Sequence, residues 1–405
     1  MIIYISENLN NKKNGGSSTS GFEFLQFLRI KHKNIVVLTV DKLNLNSDNG
    51  LFYGRKVNEI KKVVTLNRPY FLKIVTFKKV LKKIYYYFKD IFKTKSCNLS
   101  IFFDENSHEN VIYVNSWSTL FDKNKIHNYD GFKKVCIVRG SPESFIWQSF
   151  DKDKNKAIKD AANYLELFDN LIFVSNNGLE AWNKIFKKPI KSYYLPNSIN
   201  EIDIEKARRL SVDDAKIKLG ISSNNYNIIV VGSVQKRKAQ DVLLEIIEDL
   251  IKEIPDVKFH IVGGVSDTWG GDVIYDDIKN SDFSDYFIFH GHSDEQILFM
   301  QAADICLFTS RAEAFPRTVA EYMALGKPII ASNVSGVNEM IIDGENGILY
   351  KNDNLKKAIN AIIQLYNDSD LANNLGKRAR ADYYSKFSKE VHISNALKVF
   401  SEIIN

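Results

Sequence analysis

A chain of 405 residues exceeds the size at which a single core stops growing, and 44% hydrophobic with 12% aromatic residues can fill two cores, so two domains of about 200 residues are expected. Three cysteines, Cys97, Cys136 and Cys306, odd in number and without CxxC spacing or a histidine-rich partner, exclude a disulfide framework and a zinc site. No apolar run approaches the ~20 residues that span a bilayer and the opening MIIYIS carries no basic segment, so a cytoplasmic protein with a net charge of +6 is expected.

Strand-like runs at residues 2–5, 35–40, 111–114, 135–138 and 171–174 alternate with helical stretches up to about residue 195, the rhythm of a doubly wound parallel sheet. The positive charge gathers between the second and third runs, where residues 61–95 hold eleven Lys or Arg against one acid, Asp90, a local +10. Within that segment Ile74, Phe77, Leu81, Ile84, Phe88 and Ile91 recur at spacings of three and four. Lys78, Lys79, Lys82, Lys83 and Lys89 fall between them, which predicts a basic amphipathic helix. Such a helix lies either on an anionic membrane surface, each nearby Lys contributing about 1 kcal/mol, or on a core with its lysines solvated. Nucleic acid is not an expected partner, because no recognised binding motif accompanies the lysines.

After the run 135–138 come Arg139, Gly140 and Ser141; Arg139 can meet a phosphate or carboxylate, or neutralise Glu143. Ser175 and Asn176 end the run 171–174 and read either as a strand-end cap or as support for a cleft. Beyond the turn Pro196-Asn197-Ser198 the rhythm restarts with runs at 227–231, 258–262, 286–289, 305–308 and 329–331, which predicts a second parallel sheet. The first of these continues into GSVQKRKAQD, residues 232–241, and then an apolar helix from Val242. There Arg237 can grip phosphate oxygens in a bidentate manner and Lys238 act as a point charge, although a KRK triplet by itself also suits a solvated loop. Gly263-Gly264 and His290-Gly291-His292 follow the next two runs, at the C-terminal strand ends where ligands of open α/β sheets bind. Neither histidine is assigned a catalytic role. Two Asp-x-Asp patterns, residues 151–153 and 368–370, sit in polar surroundings and are assigned to the surface, so no essential metal is expected.

Residues 308–350, FTSRAEAFPRTVAEYMALGKPIIASNVSGVNEMIIDGENGILY, carry the most information. Pro316 suits a first helical position, and Gly326 followed by Lys327-Pro328 is a stop, which predicts a helix over 316–325. Val319, Tyr322 and Met323 share a face that predicts core and leaves Glu321 off it. Glu313 precedes the helix, beside backbone N–H groups of residues such as Arg317 and Thr318, an anion-binding geometry. Without that geometry Arg317 and Glu321 form a surface pair worth about 0.2–0.5 kcal/mol, and Glu313 is a loop residue.

This run resembles the E-x7-E signature of family 4 retaining glycosyltransferases through Glu313, Phe315, Glu321, Met323-Ala324, Gly326, Pro328, Gly336, Glu339, Gly344 and Gly347. The resemblance implies an α/β protein of the GT-B fold, two doubly wound Rossmann-like domains facing across a cleft. By it, residues 1–196 bind the acceptor, 197–384 bind the nucleotide sugar, and 385–405 form a helix that packs back on the first domain. It further implies a metal-independent, retaining hexosyltransferase that moves a sugar from a nucleotide-diphosphate donor to a glycan or lipid-linked acceptor. The setting implied is bacterial surface-polysaccharide biosynthesis in the cytoplasm, with residues 70–95 in peripheral contact with the anionic inner face of the cell membrane.

Carried over residue by residue, the resemblance has Glu313 contact the donor sugar near its reacting carbon and Glu321 hold the ribose hydroxyls. Arg237, Lys238 and the helix start at Ala314, Phe315, Pro316, Arg317 and Thr318 stabilise the departing diphosphate. Gly232, Ser233, Gly264 and His290 complete the donor site, with the base read by backbone. Gly16 of Gly15-Gly16 lets the backbone approach the diphosphate, although the polar loop around it reads equally as a mobile lid or as plain surface. The chain departs from the pattern at Ser233 and Ala239, where the family often has Arg and Gly, and at Ser198 in a P-N-G segment. It departs again at Arg139, where many relatives carry His; Arg139 and Ser141 are assigned to the acceptor. An epimerase or hydrolase acting on a nucleotide sugar shares this fold, as does a non-catalytic partner subunit of another transferase, and the intact Glu313, Glu321, Arg237 and Lys238 argue against the latter.

Overall fold

The computed structural model describes residues 2–5, 35–39, 60–65, 111–115, 131–148 and 153–404. Among these residues two sheets form, each parallel throughout. The first contains β1 (Ile2–Ile5), β2 (Ile35–Thr39), β3 (Ile60–Thr65), β4 (Val111–Asn115), β5 (Lys133–Val138), β6 (Asn170–Phe173) and β7 (Lys191–Tyr194), in the order 3-2-1-4-5-6-7. The second contains β8 (Tyr226–Val231), β9 (Val257–Val262), β10 (Phe287–Gly291), β11 (Ile305–Phe308), β12 (Ile329–Ser332) and β13 (Ile348–Tyr350), in the order 10-9-8-11-12-13. In both, the order reverses beside the first strand, which opens a crevice at the C-terminal ends of β1 and β4 in one domain and of β8 and β11 in the other.

Three strands escape the sequence reading. Lys61 and Lys62 disguise β3 inside the basic run, β7 has one buried residue, Tyr193, and β13 is three residues long, too short for a period. The expected strand at 286–289 starts one residue later, since Tyr286 closes a 3-10 turn. Gly15, Gly16 and the basic segment 70–95 lie outside the described residues.

The strands of the second sheet are apolar almost throughout because helices cover both faces. Ile228 and Val230 of β8 pack with Leu243, Ile246 and Ile247 of the helix Val242–Glu253. Their neighbours Ile229 and Val231 point the other way, into a core shared with Val319, Tyr322 and Met323 of the helix Arg317–Leu325. The Tyr322 hydroxyl accepts the Val231 N–H at 3.1 Å, which pins this helix to the strand end from which the 232–241 loop departs.

The chain passes between domains twice. At the first crossing three successive residues are held by three different elements. The Pro196 carbonyl accepts from His392 Nδ1 at 2.6 Å, the Asn197 side-chain oxygen accepts from the Arg139 guanidinium, and the Ser198 carbonyl accepts from Arg317 Nη1 at 2.9 Å. Burial lowers the His392 pKa to about 4, so its ring is the neutral Nδ1–H tautomer that a carbonyl partner requires. The second crossing lies between the helices Ser369–Lys386 and Lys389–Ile404. The latter returns to the first domain, where Phe400 meets Tyr113 edge-on at 5.8 Å and Lys133 bonds the Ile403 and Ile404 carbonyls.

Among the described residues no helix is long and apolar enough to cross a membrane. The Asp-x-Asp patterns serve helix starts: Asp153 accepts the N–H groups of Asn155 and Lys156, and Asp368 that of Leu371 at 2.8 Å.

Candidate functional site

The crevice between β8 and β11 is formed by the loop 232–241 and the loop 309–316. Pro316 is not the first helical residue: its ring fixes φ at −75°, but its ψ of 105° is extended, so it caps the helix Arg317–Leu325 from outside. Its carbonyl accepts the Val319 and Ala320 N–H groups at 3.0 and 3.3 Å. Gly326 closes the helix in the left-handed conformation at φ +75°, as the stop signal predicts. Every residue from Val319 to Leu325 is buried, so Glu321, off the apolar stripe, is still only 7% exposed and does not lie on the surface.

Charge converges on Glu313. One carboxylate oxygen, Oε1, accepts from Arg237 Nη1 at 2.6 Å and from Lys238 Nζ at 2.7 Å, and the three side chains are 12–17% exposed. Arg237 Nη1 also donates to the Ala312 carbonyl at 2.8 Å, and the Lys238 ammonium lies 5.3 Å from the centre of the Phe308 ring. Burial would raise the Glu313 pKa, but the Lys238 and Arg237 charges and their hydrogen bonds outweigh it and hold the carboxyl at about 2. Burial lowers the Lys238 pKa, the Glu313 charge opposes that, Arg237 adds to the lowering, and Glu321 is near enough for its charge to act on the ammonium. Arg237 and Lys238 thus gather their donors beside the N-terminal end of a helix, an arrangement suited to an anion. From the other domain the Ser141 hydroxyl reaches the Glu313 carbonyl at 3.5 Å, so Ser141 faces this cluster across the cleft.

Beside the cluster, strand ends form a shelf. The Gly232 N–H donates to the Val262 carbonyl at 2.9 Å, the Gly263 N–H to the Gly291 carbonyl at 2.8 Å, and the Val234 N–H to the Gly264 carbonyl at 2.9 Å. A Cβ at Gly263 would fall on the Gly232 backbone, so glycine there permits the close approach. Ser233 accepts from Gln235 Nε2 at 2.6 Å, while the buried Gln240 amide donates to the Ser233 carbonyl at 3.2 Å.

His290, at the end of β10, belongs to a relay. Asn227 Nδ2 donates to the Ser222 and Asn225 carbonyls, which leaves its Oδ1 to accept from His260 Nε2 at 2.9 Å. His260 Nδ1 then accepts from His290 Nε2 at 2.9 Å. Burial, with the His290 charge second, lowers the His260 pKa to about 4, and burial lowers that of His290, so both rings are neutral and their tautomers are set.

The other expected residues divide between site and joint. The Phe315 ring is buried and packs against Phe387 at 5.6 Å, and Ala314 is buried as well. The side chains of Arg139 and Arg317 both reach the first crossing, while Thr318 lies in the first turn of the helix. Ser175 caps the helix Asn176–Asn183, accepting the Gly178 N–H at 3.0 Å. Glu339 of the second domain accepts the N–H groups of Asn176 and Asn177 at 2.9 and 2.8 Å, which ties the domains together. Gln240, Thr309 and Arg311 were not expected here; the signal available was their position in the two loops that flank Glu313.

Two cations and a glutamate at the reversal point of a second doubly wound sheet can be compared with known proteins. Residues 211–382 match the family of glycosyl transferases group 1. The chain is 26% identical over 242 residues to N-acetyl-alpha-D-glucosaminyl L-malate synthase of Bacillus anthracis, covering 59% of this chain and 61% of that protein. It is 26% identical over 250 residues to the UDP-Gal:alpha-D-GlcNAc-diphosphoundecaprenol alpha-1,3-galactosyltransferase of Escherichia coli, covering 59% of this chain and 63% of that one. The chain thus spans about three fifths of the length of the curated relatives it matches. Over 99% of its length it superimposes on sucrose-phosphate synthase of Thermosynechococcus elongatus, 98% of which is covered, with a TM-score of 0.75 at 19% identity. The fold is GT-B.

Proposed function

We propose that this protein is a retaining glycosyltransferase of family 4 that moves a sugar from a nucleotide-diphosphate donor to a glycan or lipid-linked acceptor, in surface-polysaccharide assembly. The observation that carries the reading is the meeting of Arg237, Lys238 and Glu313 at the β8–β11 crevice beside a helix N-terminus. Cleaving the sugar–diphosphate bond places new negative charge on the diphosphate, and fixed cations with helix-end dipoles are suited to stabilise it. They supply enough positive charge for the transfer to need no metal. Glu313 positions the sugar, Glu321 holds the ribose, and the shelf of Gly232, Gly264 and His290 takes the base. Acceptor attack then comes from the first domain, past Ser141 and Arg139, with the leaving phosphate taking the acceptor's proton on the same face. The name of the Escherichia coli relative supports a nucleotide-sugar donor and an acceptor such as GlcNAc-diphosphoundecaprenol.

The reading is tested by thermal unfolding against UDP, GDP, ADP, TDP and their sugars with EDTA present. One nucleotide at a hundred times its Kd should add about 2.7 kcal/mol, and Lys238→Ala should abolish most of that. No shift with any nucleotide would overturn the reading; release of free sugar without acceptor would favour a hydrolase. Residues 70–95 supply the membrane contact in this scheme, and neutralising Lys78, Lys79, Lys82 and Lys83 should abolish flotation with acidic liposomes; undiminished flotation removes the lipid-surface element.

A further inference from the structure

The two loops of the site are held to each other by more than the Glu313 cluster. Arg311 forks onto Asp241, with Nη1 2.9 Å from Oδ1 and Nη2 2.7 Å from Oδ2. The same Nη1 donates to the Lys236 carbonyl at 2.7 Å, the Arg311 N–H to the Arg237 carbonyl at 2.8 Å, and the Thr309 hydroxyl to the Lys238 carbonyl at 2.6 Å. Three successive carbonyls of one loop are therefore gripped by the other. Directly after them comes Ala239, fully buried and in the left-handed region at φ +57°, a conformation that glycine enters freely and alanine does not. Asp241 occupies the N-cap position of the helix Val242–Glu253, yet makes no side-chain cap bond; its carboxylate is given to Arg311 instead.

This arrangement has a clear demand to meet. Side chains of consecutive residues in an extended segment point in opposite directions, but Arg237 and Lys238 both reach Oε1 of Glu313. Only a compact turn brings them together, and two like charges at such range push that turn open. We propose that Arg311 and Asp241 are positioning residues whose clasp holds residues 236–239 in the turn that presents Arg237 and Lys238 side by side to the donor diphosphate. The proposal rests on the reading of this crevice as the nucleotide-sugar site.

Isothermal titration of the full chain tests it, using whichever of UDP, GDP, ADP and TDP the wild-type protein binds together with the matching monophosphate. Arg311→Lys keeps the charge but cannot fork, and Asp241→Asn keeps the shape but not the charge. Each should raise the diphosphate Kd tenfold or more while shifting the monophosphate Kd less than threefold. Adding Ala239→Gly to Arg311→Lys should recover at least half of the loss on a logarithmic scale, because glycine enters the left-handed turn without the steric strain that alanine carries there and that the clasp must otherwise offset. Diphosphate binding unchanged in both variants, or diphosphate and monophosphate weakened equally in folded protein, overturns the positioning role. A wild-type protein that binds no nucleoside diphosphate overturns the donor-site reading and this role with it.

Discussion

Glu313→Gln is expected to cost the fold about 3–5 kcal/mol and to lower sugar transfer on the order of a hundredfold or more, while the Kd for nucleoside diphosphate stays within about threefold of wild type. The carboxylate takes both cations on one oxygen, and all three groups are largely buried. Removing its charge leaves Arg237 and Lys238 facing each other, largely buried and weakly screened. The same change frees both cations for phosphate, so binding of the diphosphate and transfer of the sugar should separate. A role confined to structure would weaken both alike. The pH dependence follows from the same carboxyl, whose pKa of about 2 lies below its unfolded value. Its stabilisation is fully present above about pH 4.5 and is lost as pH falls toward 2, so the acid limb of a wild-type stability curve should be steeper than that of Glu313→Gln. Chemical unfolding at pH 7 and pH 3 measures this, and a variant as stable as wild type at pH 7 would refute it.

The second large effect is expected at Gly336. Its φ is +80°, and a Cβ there would lie far inside contact distance of the Ala314 carbonyl, with the Phe315 amide just behind. Left-handed alanine costs about 1–2 kcal/mol, and the collision adds to this because backbone cannot rotate aside as a side chain can. Gly336→Ala should therefore destabilise by about 3 kcal/mol or more and, by displacing residues 313–315, weaken donor binding at least about tenfold. Gly344 provides the control, since at φ +78° it has nothing within 4 Å of the added atom. Gly344→Ala should show the conformational cost alone, with donor binding intact. Equal effects of the two changes on donor affinity, by titration, would show that Gly336 does not shape the site.

Ten of the strands declared themselves through apolar runs between turn residues, and the helix at 317–325 through Gly326 and its buried stripe. What stayed hidden has particular causes. β3 and β7 are the outer strands of the first sheet among the described residues; Lys61 and Lys62 break the apolar run of β3, and at β7 solvent tolerates Lys191 and a half-buried Tyr194. Within the site, Arg237, Lys238 and Glu313 could be named because their chemistry is overt, but their mutual bonding could not, since it joins residues 75 and 76 positions apart. Arg311 and Thr309 read as unremarkable loop residues because their work is done on backbone carbonyls, which leave no mark in a sequence. The packing of the Phe315 ring on Phe387 is hidden as well, since it joins residues far apart in the chain.

The route of the chain also bears on the order of events at the ribosome. The second domain is in effect an insertion, entered at Pro196 and left shortly before His392, two points that touch each other. The first domain is thus unfinished when synthesis leaves it: the face of its sheet around Tyr113 is sealed by Ala396, Val399, Phe400 and Ile403, all made after the second domain. A domain that comes first in the sequence would ordinarily complete itself first. Here the second domain can close while the sheet of the first still waits, apolar and uncovered, for the helix Lys389–Ile404.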